Sequence, residues 1–197
     1  TNDGPAVLIE RSGDRLHLRL NRPSSRNAMS VDMRDALVEA FELAAIDNSI
    51  ASVDVSALGA CFSTGGALQE FGTAGDAASS HAVRSLRLPA ATLLRCEAIV
   101  NMHVHGACIG SGIELPAFAA RLVAHPETFF QLPELQMGLI PGAGGTVGLA
   151  QLIDREHVVA EGGAGAEPEH EDLVVGDAGA AGQAHDLAER AREEPAA

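Results

Sequence analysis

Short stretches with the two-residue period of a β-strand alternate with stretches of helical spacing, and this alternation limits the chain to few architectures. Val7–Glu10 and Leu16–Leu20 flank a turn at Gly13, which predicts a hairpin. Ser30 is a candidate N-cap, and apolar residues recur at helical spacing after it. Ser52–Ala57 is a third predicted strand. Strands alternating with helices predict the α/β class.

The same alternation continues through the second half of the sequence. A helix is predicted from about Ser79 to Arg95, with an interruption at Pro89 because proline lacks an N–H and clashes inside a helix. The remaining predicted elements are a buried strand at Ala98–Val104, a short helix near Gly112–Ala120, and strands near Arg121–Ala124 and Thr128–Phe130.

Charge is unevenly distributed along the chain. The sequence has 27 acidic and 13 basic residues, and every cation is arginine. The lack of lysine excludes Schiff-base and P-loop lysines, and the net charge of −14 argues against a nucleic-acid partner. Residues 154–197 hold 12 acids and three arginines among Gly/Ala tracts. We therefore expect a core domain at 1–153 and, at 154–197, a divergent acidic tail with little apolar surface to offset its ordering entropy.

The sequence carries no pattern typical of export or of a membrane span. The start at Thr1–Asp3 is polar and acidic, and no apolar run approaches the roughly 18 residues that a bilayer requires. Cys61, Cys96 and Cys108 lack Cys-x-x-Cys spacing. We expect reduced core cysteines, no zinc site, no membrane partner and a cytoplasmic location.

Three glycine-rich segments, residues 61–71, 105–115 and 129–145, stand out as candidates for chemistry. Each places exposed backbone N–H groups at turns that open toward helices. Backbone donors of this kind can stabilise an oxyanion without a cationic side chain. A chain without lysine could stabilise a developing negative charge in this way.

Two glutamates lie within these segments. Glu114 is in the first turn of a predicted helix, and Glu134 follows Pro133, whose fixed φ limits where that carboxylate can point. A carboxylate pair in a glycine-lined apolar pocket could serve as general base and general acid. The alternative is that Glu114 is a surface residue matched to a helix dipole and Glu134 an ordinary loop acid.

Other candidate sites are weaker. His103 and His105 could form a metal-binding pair, although a strand that buries two hydrogen-bonded histidines is the favoured interpretation. The glycine run 142–145 fails the dinucleotide pattern at Val147. Cys61 could be a nucleophile, but a buried apolar role is favoured.

Taken together, four motifs resemble the enoyl-CoA hydratase/isomerase, or crotonase, family. LNRPSSRNAMS at 20–30 is similar to its N-terminal LNRP signature, and CFSTGGALQEF at 61–71 to its FxAGxDLxE segment. HGACIGSGIEL at 105–115 resembles GAxGGGxEL, and LPELQMGLIPGAGG at 132–145 resembles PExxxGxxPGxGG. The four motifs occur in the family's order between about residues 7 and 152.

The resemblance implies a role for each matching residue. Gly66 and Ser111 stand where the family supplies its two oxyanion-hole N–H groups, which hold the thioester oxygen. Glu114 would help to activate the water that adds at C3, and Glu134 would exchange the proton at C2. Arg26 could meet a CoA phosphate or simply be solvated. The implied surface for the CoA thioester comprises Arg26, Ala28, Thr64, Gly66, Ala67, Leu68, Gln69, Gly110 and Gly142.

What the resemblance implies for the whole protein is an α/β fold of the crotonase type, a spiral of repeated ββα units. The implied activity is enoyl-CoA hydratase, the reversible syn addition of water to a 2-enoyl-CoA thioester. No metal or redox cofactor is implied, since CoA enters as part of the substrate. The implied partners are the acyl-CoA substrate and further copies of the chain, as a trimer or a dimer of trimers.

Two alternatives stay open. The first alternative is a Δ3–Δ2 enoyl-CoA isomerase, an activity of similar proteins that typically use one catalytic glutamate. The presence of both Glu114 and Glu134 favours the hydratase. The other alternative is a non-catalytic acyl-CoA-binding protein. It is kept open by Ser111 in place of the family's usual Gly, by Ala67 in place of an Asp, and by the lack of a recognisable C-terminal helical region in 154–197.

Overall fold

The computed structural model describes residues 4–70, 75–76, 87–154 and 173–174. Within these residues the chain forms a six-stranded sheet, a two-stranded sheet and four α-helices. The strands are β1 (Val7–Ser12), β2 (Arg15–Leu20), β3 (Ser52–Ala57), β4 (Val100–Val104), β5 (Ala107–Ile109), β6 (Arg121–Ala124), β7 (Phe129–Gln131) and β8 (Leu173–Val174). The helices are α1 (Val31–Ile46), α2 (Pro89–Leu93), α3 (Ser111–Glu114) and α4 (Gly145–Asp154).

The large sheet has the strand order β1-β2-β3-β4-β6-β8. Strands β2, β3, β4 and β6 are parallel, whereas β1 and β8 pair antiparallel at the two edges. In the smaller sheet, β5 and β7 are parallel. Parallel strands joined through helices are the arrangement of the α/β class, so the predicted class is confirmed.

A row of apolar side chains crosses the four parallel strands and forms the centre of the core. Leu18 pairs with Val55, Val55 with Met102, and Met102 with Leu122. Each of these side chains is at most 3% exposed. Because the side-chain period in a strand is two, this register also sends the alternate polar residues of the strands to the opposite face.

Helix α1 begins where the sequence predicts. The Ser30 hydroxyl accepts a hydrogen bond from the Met33 N–H at 3.3 Å, as an N-cap does. A second cap comes from a distant segment, because the Val31 N–H donates to Glu70 Oε2 at 2.9 Å. The helix buries Phe41 and other apolar residues in the core.

Several predicted bounds shift, and prolines and turns explain most of the shifts. Helix α2 begins at Pro89, which occupies the first turn, where its missing N–H costs little. Strand β4 begins at Val100 because Glu97–Ile99 forms a 3-10 turn. The predicted helix at Gly112–Ala120 is divided into α3 and a 3-10 turn at Pro116–Phe118. The predicted helical residues 79–86 and most of the predicted tail domain at 154–197 lie outside the described residues.

The favoured interpretation of the two histidines is wrong about burial, although His105 does form a hydrogen bond. The His103 side chain is 48% exposed and lies on the polar face of the sheet, 3.7 Å from an Asp54 carboxylate oxygen. His105 follows β4 and is half-buried, with Nε2 2.9 Å from the Gly59 carbonyl oxygen. No group of three His, Cys, Asp or Glu residues in the described part of the chain could hold a metal ion.

Candidate active site

Two of the glycine-rich segments lie side by side. The Phe62 N–H donates to the His105 carbonyl at 2.7 Å, and the Ser63 N–H donates to Ala107 at 3.2 Å. In return, the Ile109 N–H donates to the Ser63 carbonyl at 3.0 Å. The chain therefore brings together two segments separated by more than 40 residues in sequence.

Each segment then turns at a glycine in the left-handed region. Gly65 has a φ of 88° and Gly110 a φ of 53°. A Cβ at Gly65 would lie 2.7 Å from the Ile109 carbonyl oxygen, so the close approach also requires glycine. The residues that follow these turns are Gly66 and Ser111, and neither amide N–H donates to another described residue. Two backbone donors are thus left available for an oxyanion.

A third segment, residues 26–29, runs along the first of these turns. The Met29 N–H donates to the Gly65 carbonyl at 2.7 Å, and the Ala67 N–H donates to the Met29 carbonyl at 3.1 Å. The Thr64 N–H donates to the Arg26 carbonyl at 3.1 Å. Most of the surface predicted to bind CoA is therefore contiguous, and Leu68 and Gln69 continue it as an exposed 3-10 turn.

Asn27 and Ser63 hold these segments together, and the sequence prediction did not include them. Asn27 is fully buried at a φ of 52°. Its side chain accepts from the Arg22 N–H at 2.8 Å and donates to the carbonyls of Leu58, at 2.8 Å, and Cys61, at 3.1 Å. The Ser63 hydroxyl donates to the Asn27 carbonyl at 2.8 Å. The sequence signal for Asn27 was its place in the LNRPSSRNAMS motif at 20–30. Asn also tolerates the left-handed region better than most residues.

Glu114 is buried and anchors the third glycine-rich segment. It is 2% exposed, and its Oε2 accepts from the N–H groups of Ala143, at 2.7 Å, and Gly145, at 2.8 Å. A Cβ at Gly145 would lie 2.7 Å from Glu114 Cγ, so glycine is required for this approach. The alternative of a surface residue matched to a helix dipole is therefore wrong for Glu114. Gly142, a predicted substrate contact, is exposed where this anchored loop begins.

Glu134 lies beside the second turn. A Cβ at Gly110 would be 2.7 Å from Glu134 Oε1, so the carboxyl group packs against a bare Cα. The other oxygen, Oε2, is buried and has no hydrogen-bond partner among the described residues. Burial raises the pKa of Glu134, and the negative charge of Glu114 raises it further. A raised pKa favours the neutral form of this carboxyl group, which is the form that can donate a proton.

The surroundings of the three cysteines do not favour a nucleophilic role. All three are free and buried. Burial raises the pKa of the Cys61 thiol and raises that of Cys108 to about 12. A reactive cysteine needs a lowered pKa, so the apolar interpretation of Cys61 is supported.

Comparison with known proteins agrees with the geometry. A sequence model of the enoyl-CoA hydratase/isomerase family matches residues 12–160. The mitochondrial Δ(3,5)-Δ(2,4)-dienoyl-CoA isomerase of Mus musculus is 30% identical over 157 residues, covering 74% of this chain and 48% of that protein. The 2,3-dehydroadipyl-CoA hydratase of Escherichia coli K12 is 32% identical over 149 residues, covering 76% of this chain and 58% of that protein. The chain thus spans about half the length of the curated relatives it matches.

Solved structures share the fold. Enoyl-CoA hydratase from Mycobacterium smegmatis superimposes with a TM-score of 0.70 at 30% identity, covering 77% of this chain and 60% of that chain. Enoyl-CoA hydratase from Thermoplasma volcanium GSS1 gives a TM-score of 0.66 at 27% identity, and the match covers 76% of this chain and 60% of that chain.

The fold and the site together define a crotonase-type α/β protein with paired free amides beside two carboxyl groups. The chain belongs to the enoyl-CoA hydratase/isomerase family, which confirms the resemblance drawn from the four motifs. None of the helices among the described residues has both the length and the hydropathy needed to cross a bilayer.

Proposed function

We propose that the protein is an enoyl-CoA hydratase, which adds water reversibly and with syn geometry to 2-enoyl-CoA thioesters. The observation that carries this proposal is the convergence of two free amide N–H groups, on Gly66 and Ser111, with the carboxyl groups of Glu114 and Glu134. Acyl thioester chemistry needs both the amides and the carboxyl groups. The amides stabilise the charge that develops on the thioester oxygen, and the carboxyl groups move protons at C2 and on the attacking water.

In the proposed mechanism, the N–H groups of Gly66 and Ser111 bind the thioester oxygen. Water adds to C3 with Glu114 as the group that helps to accept its proton, and the C2–C3 π electrons move onto the oxygen as an enolate. Glu134 then donates a proton to C2, and the enolate electrons return to form the C2–H bond. Glu114 Oε1 remains available for this role, because Oε2 is the oxygen that the amides of Ala143 and Gly145 hold.

The proposed CoA surface follows from the contiguous segments at 26–29 and 64–69. Backbone groups dominate this surface, and Arg26 is its one arginine, so we propose that it meets a CoA phosphate. CoA enters as part of the substrate, and the proposed reaction requires no metal or redox cofactor. We further propose a homo-oligomer, either a trimer or a dimer of trimers, in the reducing environment of the cytoplasm, which three free cysteines favour.

One observation supports a second candidate, Δ3–Δ2 enoyl-CoA isomerase. Two amides already occupy Glu114 Oε2, which leaves Glu134 as the carboxyl group with a buried oxygen that lacks a partner within the described ranges. A single proton-transfer group is sufficient to move a double bond between C3 and C2. One of the relatives is named as a dienoyl-CoA isomerase, in line with this candidate.

The test follows the absorbance of crotonyl-CoA with the wild type, Glu114→Gln and Glu134→Gln. If the protein is a hydratase, the wild type consumes crotonyl-CoA and each substitution lowers kcat by roughly a hundred-fold or more. Glu39→Gln, an exposed glutamate on α1, is the matched control and should leave kcat unchanged.

Two outcomes count against the hydratase. Turnover of a 3-enoyl-CoA that depends on Glu134 alone would identify an isomerase. Binding of the CoA ester without turnover of either substrate would identify a non-catalytic acyl-CoA-binding protein.

A further inference from the structure

Two buried side-chain atoms in the described part of the chain lack a hydrogen-bond partner, and both belong to the candidate active site. They are Ser111 Oγ and Glu134 Oε2. Buried polar atoms in native proteins are nearly always hydrogen-bonded, so an exception calls for an explanation. The other buried polar groups of the site, on Asn27, Ser63 and Glu114, all have partners. We therefore expect a bound molecule to supply the hydrogen-bond partners of these two atoms.

The position of the Ser111 hydroxyl limits which atom of the bound molecule it can reach. Its own amide N–H is one of the two free donors, and in a serine the hydroxyl oxygen is three bonds from the amide nitrogen, so the two can address one acceptor. The preceding residue, Gly110, packs against Glu134 Oε1. The donors of Ser111 and the carboxyl group of Glu134 thus flank the same turn.

We propose that the Ser111 hydroxyl is a third donor to the thioester oxygen, in addition to the N–H groups of Gly66 and Ser111. This inference rests on the proposed thioester chemistry of the site. A glycine at this position would supply the amide alone, so the serine makes this oxyanion site stronger than a two-amide site. Ser111 is then a catalytic residue through its side chain as well as its backbone.

The proposed step is balanced without loss of a proton from Ser111. When a saturated acyl-CoA is bound, the Glu134 carboxylate removes a proton from C2, and the C–H electrons move through C1 onto the thioester oxygen. The two N–H groups and the Ser111 O–H donate hydrogen bonds to that oxygen. Return of the proton, or of a deuteron from solvent, to C2 restores the ester.

The experiment compares the wild type with Ser111→Gly, which removes the hydroxyl and keeps the amide. Proton exchange at C2 of butyryl-CoA is followed by NMR in D₂O. We expect Ser111→Gly to slow exchange by roughly ten- to a hundred-fold, with little change in the KM for butyryl-CoA, because the lost hydrogen bond is strongest to the enolate. Bound cinnamoyl-CoA should also show a smaller red shift of its absorbance, since its carbonyl is less polarised.

Three further variants separate this role from a structural one. Ser111→Thr restores a hydroxyl and should recover most of the exchange rate, whereas Ser111→Ala should resemble Ser111→Gly. Thr128→Val removes a buried hydroxyl that has a partner, the Val104 carbonyl at 3.4 Å, and should leave the exchange rate unchanged. Thermal unfolding of each variant establishes that it is folded.

Equal exchange rates and equal absorbance shifts in the wild type and Ser111→Gly would overturn the proposal. Failure of the hydratase assignment gives a different result. A wild type that exchanges C2 protons but does not hydrate crotonyl-CoA contradicts the hydratase, and slow exchange in Ser111→Gly would then still support the third donor.

Discussion

Asn27 shows how one side chain can hold a site together without touching the reacting atoms. Its amide joins the segment at Arg22 to the segment that carries Leu58 and Cys61. Its own carbonyl receives the Ser63 hydroxyl. The Gly65 turn lies two residues after Ser63, and the Gly65 N–H donates to the Ser63 hydroxyl at 3.2 Å, so the position of the first free amide depends on Asn27.

The substitution Asn27→Ala should therefore lower the free energy of unfolding by about 2–4 kcal/mol, since it removes the partner of one buried carbonyl, one partly buried carbonyl and one partly buried N–H. Urea denaturation measures the change. Asn48→Ala, at an exposed position, is the control and should change stability by less than about 0.5 kcal/mol. A loss for Asn27→Ala as small as that of the control would contradict the role assigned to Asn27.

Glu134 links the chemistry of the site to the stability of the fold. Its pKa in the folded protein is raised by burial and by the charge of Glu114, whereas the unfolded chain has the ordinary value of about 4.3. A raised pKa in the folded state means that the neutral form is favoured there. Its contribution to stability is fully present below the unfolded pKa and is lost as the pH rises through the folded pKa.

The raised pKa leads to a prediction for Glu134→Gln, because glutamine resembles the neutral carboxyl group at every pH. Relative to the wild type, the variant should become more stable as the pH rises from the unfolded value of about 4.3 through the raised folded pKa, and the difference should then level off. Urea denaturation of both proteins at each pH provides the difference and cancels the other titrating groups. A difference that does not change with pH, or that favours the wild type at high pH, would show that the pKa of Glu134 is not raised.

At the scale of elements, the site is assembled from three turns that enter helices or strands, and each turn depends on a glycine. The loop before α4 is the clearest case, because its amides at Ala143 and Gly145 converge on one carboxylate oxygen of Glu114. The carboxyl group of Glu114 therefore fixes this loop relative to the short helix α3 through two backbone hydrogen bonds, and no cationic side chain is needed.

Gly145→Ala should break this arrangement, because the new Cβ would lie 2.7 Å from Glu114 Cγ. We expect a loss of about 1–3 kcal/mol in the free energy of unfolding from overpacking, and a fall in kcat of at least roughly ten-fold as Glu114 is displaced. Gly75→Ala adds the same methyl group where nothing lies within 4 Å and is the control. Similar kcat values for the two variants would contradict the anchoring role of Glu114.

Element positions were predicted well wherever local chemistry decides them. Strand β3 occupies the predicted residues 52–57, and α1 starts after its predicted cap, Ser30. Predictions were poorer where two signals compete over a few residues. At Pro116, for example, helical spacing continues through the proline, yet the chain forms one turn of α-helix and then a 3-10 turn. The resulting break shortens α3 to the four residues that carry Ser111 and Glu114.

At the scale of the whole molecule, a group of exposed apolar side chains lies next to the anchored loop. Ile140 is 78% exposed and Leu135 is 60% exposed, and Met137, Leu139 and Val147 are also exposed. Scattered exposed apolar residues are normal, but five of them between residues 135 and 147 are more than scatter and indicate a candidate interaction surface. Its position next to the Glu114 loop fits the proposed oligomer, in which the site would lie close to a neighbouring subunit.

Ile140→Lys should therefore shift the protein toward the monomer, because a charged side chain would be buried at the subunit contact. Sedimentation velocity at several protein concentrations measures the change. Ile46→Lys, at a position 68% exposed at the end of α1, is the matched control and should leave the oligomeric state unchanged. A wild-type protein that is monomeric at all concentrations would contradict the proposed oligomer.

The sequence by itself determined the α/β class, the hairpin, the cap of α1, strand β3 and the four motifs of the family, since these depend on neighbouring residues and short spacings. Only the tertiary structure decided the surroundings of the functional groups. Glu114 holds amides 29 and 31 residues away, whereas Glu134 Oε2 and Ser111 Oγ are buried without partners in the part of the chain that the structure describes. His103 is exposed where its strand pattern favoured burial. Burial and hydrogen-bond partners come from segments distant in sequence, and only packing of the chain brings those segments together.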